Sequence, residues 1–182
     1  VSGSRADSIM LAHIPADGKG VYLVSIMRDT WVNIPGYGSA KINAALNYGG
    51  ISLQVATVEN LLGIKIDHVA EIEFEGFKAL VNSVNGVDVQ VPFDFDINAW
   101  SFKQGMQHMD GGAALAFVRA RYPFADGDYQ RVRNQRAFLR GLYSTMKSKG
   151  ALENVGSFQS AVESIAGYMR VDSGLDAAQI AQ

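Results

Sequence analysis

Short apolar blocks, each closed by glycine, proline or asparagine, alternate along the chain between strand-like runs and helical spacing. Ser8–Ile14 (SIMLAHI) and Val21–Ile26 (VYLVSI) are separated by PADGKG, whose proline, aspartate and glycines supply turn geometry, and they predict two neighbouring strands of a buried sheet. Trp31–Ile34 predicts a further extended piece, stopped by PGYG, and KINAALNYGG predicts a short helix closed by Gly49 and Gly50. A clearer helix follows over Ser52–Leu62, where Leu53, Val55, Ala56, Val58, Leu61 and Leu62 recur at helical spacing before Gly63. His68–Phe74 alternates as a strand. Phe77, Leu80, Val81 and Val84 mark another helix, and Val87–Val91 (VDVQV) another strand, ended by Pro92.

Phe93–Gln107 carries Trp100, Phe102 and Met106 without a clear period and predicts an ordered surface excursion. Asp110 is placed to cap a helix over Ala113–Val118. From Asp128 an apolar stripe of Val132, Leu139, Leu142, Tyr143 and Met146 predicts an amphipathic helix, with Arg131, Gln135 and Arg140 elsewhere on its wheel. Two more helical stretches are expected near Val155–Tyr168 and Asp176–Ala181. With no internal repeat, this alternation predicts one α/β domain over residues 1–182, its helices on both sides of a mostly mixed sheet. A chain of 182 residues can bury a core of that kind without staples.

Composition narrows the chemistry. Sixteen basic against eighteen acidic residues leave a formal charge of -2, which argues against a non-specific nucleic-acid binder. The absence of cysteine removes disulfides, thiolate nucleophiles and cysteine-based zinc sites. No run of about 18 apolar residues marks a membrane span, so any anchor or signal is expected outside this chain.

Charge is concentrated locally instead. Six of the nine arginines (Arg119, Arg121, Arg131, Arg133, Arg136 and Arg140) fall in or just after Leu115–Gln135, with Asp126 and Asp128 between the two groups. Guanidinium forks hold phosphate oxygens through paired hydrogen bonds, so arginines converging near a helix start suit a diphosphate. The plainer alternative is a solvated helix face paired with Asp126, Asp128 and Glu153. Three polar pairs fall at strand ends or loops, where open α/β sheets bind ligands: Arg5 with Asp7, Arg28 with Asp29, and Lys41 with Asn43. Each also reads as surface charge or, for Asn43, a helix cap. His13, His68 and His108 lack metal-ligand spacing. Magnesium needs only one or two carboxylates beside phosphate oxygens, so Asp7, just ahead of a strand, is a candidate ligand. PADGKG lacks the spacing of a phosphate-binding glycine loop, and no serine sits in a nucleophile elbow.

Taken together, RADSIML, SIMRDTWVNIPGYGSAKINAAL, NGVDV, LAFVRAR and the D-x-x-R-x-x-x-Q run in DYQRVRNQ resemble the LytR-CpsA-Psr family of bacterial cell-wall assembly proteins. The resemblance implies a three-layer α/β/α domain on the outer face of the bacterial cytoplasmic membrane, tethered by an N-terminal transmembrane helix outside this chain. It implies transfer of a glycopolymer from a polyprenyl diphosphate carrier to peptidoglycan, forming a phosphodiester, with no nucleic-acid partner. On the matching positions it implies Arg28, Arg119, Arg121 and Arg131 as catalytic cations, with Asp128 orienting Arg131 or acting near the acceptor. Arg5, Lys41, Asn43 and Gln135 would bind substrate, and Asp7 would hold Mg2+. Met27 stands where the family usually has proline, Ala6 where it has serine, and Asn134 where an arginine often follows. A glycine and aspartate strand expected upstream of Arg5 would bring a second magnesium carboxylate. The polyprenyl tail would need an apolar tunnel, which the helix faces of Val55, Leu62, Phe77, Leu80, Leu139 and Leu142 are placed to line. Two other readings use the same residues: a polyprenyl-phosphate-binding regulatory or scaffold module without turnover, and a polyprenyl diphosphate pyrophosphatase.

Overall fold

The computed structural model describes residues 6, 8–16, 20, 22–121, 127–148 and 166–171, and the chain divides into two compact units, Val1–Asp67 and His68–Gln182. Arg5, Asp7, Asp126, Glu153 and most of the helical stretches expected after Gly150 lie outside the described residues. The mixture of helices and strands is α/β, as the alternation of periods predicts.

In the first unit, β1 (Ile9–His13) pairs antiparallel with β2 (Tyr22–Ile26), Ile9 opposite Ile26. β3 (Trp31–Ile34) pairs with β4 (Gly38–Lys41), placing Trp31 opposite Lys41. PGYG therefore does not simply end a strand; it reverses it. Gly36 and Gly38 both sit at φ +79, a left-handed geometry that glycine adopts without strain, and Tyr37 N–H closes onto the Ile34 carbonyl at 3.0 Å. The two expected helices form one element, α1 (Ala44–Leu62), broken at Gly49 and Gly50, the latter at φ +68, and closed by Gly63 in left-handed geometry. Val32, Ile34, Ile42, Ala45 and Val58 are its buried core, with Ile9, Ile26 and Leu53 packed at the edges.

In the second unit, β5 (Ala70–Ile72) is shorter than the expected strand and pairs with β10 (Met169–Val171), which follows a 3-10 turn at Ala166–Tyr168. α2 spans Phe74–Ser83, and β6 (Val87–Val91) pairs antiparallel with β9 (Gly105–Met109). The expected excursion over Phe93–Gln107 is largely strand: β7 (Phe95–Ile97) and β8 (Trp100–Phe102) form a hairpin around Asn98, at φ +52, and β9 follows. Strands of three residues are too short to display a period, and only their packing reveals them, Phe95 stacking on Phe102 at 4.9 Å. All five strand pairs among the described residues are antiparallel two-stranded ladders.

α3 (Gly111–Arg119) starts as predicted, the Asp110 carboxylate accepting from Ala113 N–H at 2.8 Å. α4 (Gly127–Ser148) packs Leu139, Leu142 and Met146 of its apolar stripe against the core, and it also buries a polar face that the stripe does not suggest. Gln130, Arg131, Asn134, Gln135, Phe138 and Thr145 are buried, whereas Tyr143 is 59% exposed. The helix also approaches β6 at Gly141, where an added Cβ would collide with the Asp88 carbonyl oxygen. A polar stripe can face inward because its amides find hydrogen-bond partners on α3 and within α4.

Candidate functional site

In the first unit the backbone, rather than attraction between side chains, gathers the cations. Thr30 closes a turn on the Met27 carbonyl through its N–H (2.9 Å) and its hydroxyl (2.6 Å). Ile42 N–H then donates to Thr30 O at 2.8 Å and Asn43 N–H to Arg28 O at 3.2 Å, locking the 27–30 turn against the end of β4. Arg28 and Lys41 consequently line one cleft of about 390 Å3 with Asp29, Trp31, Ala40, Asn43, Ala44 and Tyr48. Asp29 Oδ1 lies 3.5 Å from Lys41 Nζ and 3.8 Å from Arg28 Nε. Among the described residues the cleft sets two cations against one carboxylate, a balance that suits an anionic ligand. Asn43 is 5% exposed and precedes α1, yet its side chain makes no capping bond, so the helix-cap reading of this residue does not hold.

In the second unit Arg119 and Arg121 leave the end of α3, and Arg131 belongs to the first turns of α4. The guanidinium of Arg119 lies over the ring of Phe74, 4.2 Å from its centroid, a cation–π contact made at the C-terminal end of a helix whose dipole also favours positive charge. The carbonyl of Arg121 lies 3.7 Å from where a Cβ on Gly127 would stand, so the ends of the connection between α3 and α4 are held close together. What fixes this geometry is a set of amides. Asn134 Nδ2 donates to Phe117 O (3.3 Å) and Gln135 Nε2 to Val118 O (3.4 Å), satisfying carbonyls in the last turn of α3. Gln130 Nε2 donates to Asn134 Oδ1 (2.9 Å), and Arg133 donates to Gln130 Oε1 (2.9 Å). The substrate-binding candidate Gln135 thus has its amide nitrogen engaged with α3, while Arg131 is 5% exposed. Asp128 lies in the first turn of α4.

Sequence reasoning passed over Gln130 and Phe74, and singled out Asn134 only as a departure from the family pattern. Asn134 and Gln130 carry a signal, two amides one helical turn apart; Phe74 carries none, since its role depends on where α3 ends. Among the described residues no group of three or more His, Asp or Glu side chains gathers as a metal site, and Asp29 is engaged with Lys41 and Arg28. The His108 Nδ1 lies 2.8 Å from Asp88 Oδ1 across β6 and β9, an exposed surface pair. Of the apolar residues considered for a tunnel, Phe77, Leu139 and Leu142 pack against the second unit's core, and Leu62 is 40% exposed. No described helix is long and apolar enough to cross a membrane.

Comparison with known proteins accords with this arrangement. The polyisoprenyl-teichoic acid–peptidoglycan teichoic acid transferase TagU of Enterococcus faecalis is 36% identical over 177 residues, covering 97% of this chain and 57% of that protein. The crystal structure of Bacillus subtilis TagV superimposes with a TM-score of 0.85 at 34% identity, over 97% of this chain and 69% of that one. A structure described as TagT bound to LI-WTA superimposes with a TM-score of 0.72 at 30% identity, over 92% and 63% of the two chains. This chain therefore spans little more than half the length of its curated relative. The LytR_cpsA_psr family model matches residues 1–182, and the chain belongs to that family.

Proposed function

We propose that this protein transfers a glycopolymer of the teichoic-acid type from a polyprenyl diphosphate carrier to peptidoglycan on the outer face of the bacterial cytoplasmic membrane. The observation that carries the reading is the 36% identity, over 97% of this chain, to a relative named for that transfer. The positive cleft and the arginines leaving α3 supply groups of the kind it needs.

In the reaction an acceptor hydroxyl oxygen attacks the phosphorus that carries the glycopolymer, and the bridging P–O bond to the second phosphate breaks. Polyprenyl phosphate leaves with the bond's electron pair, the hydroxyl proton passes to a base, and a phosphodiester remains. Arg28, Arg119, Arg121 and Arg131 act on the charge of the diphosphate as its bridging bond breaks, and Lys41, Asn43, Gln135 and Arg5 hold the diphosphate. Asp128 orients Arg131 or receives the proton. Asp7 is the proposed carboxylate ligand of magnesium, which supplies further neutralisation of phosphate charge when bound and needs only one or two carboxylates beside phosphate oxygens and water. A membrane anchor outside this chain would keep the domain beside its lipid substrate.

The test is transfer from a glycosyl diphosphate lipid to peptidoglycan fragments by wild type, Arg119→Ala and Arg131→Ala. Each variant is expected to keep its fold and lose on the order of a hundredfold in rate. Unchanged transfer by a folded variant removes that arginine from the site. Tight binding of polyprenyl phosphate by wild type without any turnover moves the assignment to a scaffold or regulatory module.

A further inference from the structure

Beside the two cations, the cleft of the first unit carries aromatic surface that folding leaves uncovered. Trp31 is 69% exposed and lines the cleft with Tyr48, itself 44% exposed. A tryptophan left this open is unusual, since the type is highly buried on average. Its place is set by register: Trp31 stands directly opposite Lys41 across β3 and β4, so the indole and the ammonium rise from the same face of the hairpin. Tyr48 is also held in position. Tyr37 stacks on it with ring centroids 5.0 Å apart and an 18° angle, and the Tyr37 hydroxyl donates to the Tyr48 carbonyl at 3.1 Å, at the break before Gly49 and Gly50. The β3–β4 turn and the kink in α1 thus build a braced aromatic wall next to Arg28 and Lys41.

We propose that this cleft is a sugar-phosphate subsite, which takes a pyranose ring against Trp31 and Tyr48 and the phosphate on that ring against Arg28 and Lys41. The choice of a sugar as ligand rests on the transferase reading above, in which the donor's sugar is bonded directly to phosphate. The chemistry of the lining fits such a ligand on each side. A pyranose presents a face of C–H bonds, which pack on the electron-rich face of an aromatic ring, and rigid aromatic side chains make such contacts with little loss of conformational freedom. A phosphate oxygen pair matches a guanidinium fork and an ammonium. The Asn43 amide, buried at the cleft wall and without a capping bond, adds a group able to donate to or accept from a hydroxyl. A volume of about 390 Å3 accommodates one ring and its phosphate and falls at the small end of ligand pockets.

The chain has two tryptophans, and Trp100 does not line the cleft, so Trp100→Phe leaves Trp31 as the sole indole reporter. The 182-residue protein carrying that change is titrated with N-acetylglucosamine 1-phosphate, and in parallel arms with N-acetylglucosamine, inorganic phosphate and an unphosphorylated peptidoglycan disaccharide. The sugar phosphate is expected to shift Trp31 emission saturably and to bind about tenfold more tightly than either half alone, a gain expected when ring stacking and ion pairing act together. Tyr48→Leu should weaken it by about tenfold while Tyr48→Phe restores wild-type binding. Calorimetry on Trp31→Leu, a change at an exposed position, should show the same loss should Tyr48→Leu fail to fold.

Equal response to inorganic phosphate, unaltered by Tyr48→Leu, makes the cleft an anion site and overturns the proposal. So does a response to the disaccharide alone, which makes it an acceptor site, or no response at all. No lipid and no turnover enter this experiment, so its failure leaves the proposed transfer standing. Saturable sugar-phosphate binding by a protein that never transfers polymer would support the subsite while removing the transferase reading.

Discussion

Asn134 is the residue on which the arrangement of α3 and α4 turns, and its replacement by alanine has a calculable consequence. Its side chain is fully buried, accepting from Gln130 Nε2 at 2.9 Å and donating to the Phe117 carbonyl at 3.3 Å. Alanine removes both contacts: Gln130 Nε2 is left without its buried acceptor, while Phe117 O keeps the bond from Ala120 N–H at 3.4 Å. A buried polar group without its partner costs about 1–3 kcal/mol, which puts the variant roughly that far below wild type. In a domain of this size each kcal/mol moves the unfolding midpoint by about 2–4 °C, so Asn134→Ala should melt about 2–12 °C lower. Thermal unfolding followed by circular dichroism at neutral pH reads the shift. Because Phe117 O belongs to the turn that carries Arg119, the folded variant should also bind a diphosphate lipid more weakly than wild type at a temperature where both are native. A midpoint within about 1 °C of wild type, the behaviour of a surface substitution, would falsify the argument that these amides hold the two helices together.

Other outcomes follow from single features. Gly141→Ala should destabilise the protein by about 1–3 kcal/mol in urea unfolding, since its Cβ meets the backbone carbonyl of Asp88 and neither strand nor helix has a flexible end to give way; an unchanged midpoint contradicts the close approach of α4 to β6. Glu59 accepts from Ile66 N–H at 2.9 Å and from Lys65 Nζ at 3.1 Å, and these bonds, the backbone one foremost, hold its carboxyl below the usual glutamate range. A depressed folded-state value means the stabilisation is present above the unfolded-state value and lost as pH falls through the folded one, so the stability gap between wild type and Glu59→Gln should narrow from about pH 6 to about pH 3; a gap independent of pH counts against it. Phe74→Leu should weaken diphosphate-lipid binding several-fold with Phe74→Tyr near wild type, since only an aromatic ring retains the contact with Arg119; equal binding by both variants means the ring does not orient that guanidinium.

Which elements could be read in advance follows from how each is stabilised. β1, β2, β6 and α2 present apolar positions at their own period, and Asp110 is a cap by residue type, so sequence alone places them. β4 is Gly-Ser-Ala-Lys, with nothing apolar to announce it; it exists because the turn over Pro35–Tyr37 returns the chain beside β3. β7 and β8 are shorter than a readable alternation. The inward face of α4 misleads for the opposite reason, since Gln130, Asn134 and Gln135 look solvent-facing until the carbonyls at the end of α3 are set against them. Within the candidate site, Arg28, Lys41 and Asn43 stand out individually at element ends, but their convergence in one cleft depends on two backbone hydrogen bonds between segments twelve and fifteen residues apart. Trp31 and Tyr48 gave no functional signal, because exposure is a property of the fold.

In the proposed transfer the phosphate bonded to the glycopolymer passes to an acceptor hydroxyl of peptidoglycan, and the product's identity reports whether it does. A glycosyl diphosphate lipid incubated with the protein and peptidoglycan fragments, followed by mass spectrometry and phosphorus NMR of the isolated glycan, should show the polymer joined to the fragment through a phosphodiester, with one equivalent of polyprenyl phosphate released for each link. Release of polymer bearing a terminal phosphate monoester, with unmodified fragments, would show that water is the acceptor and contradict the account.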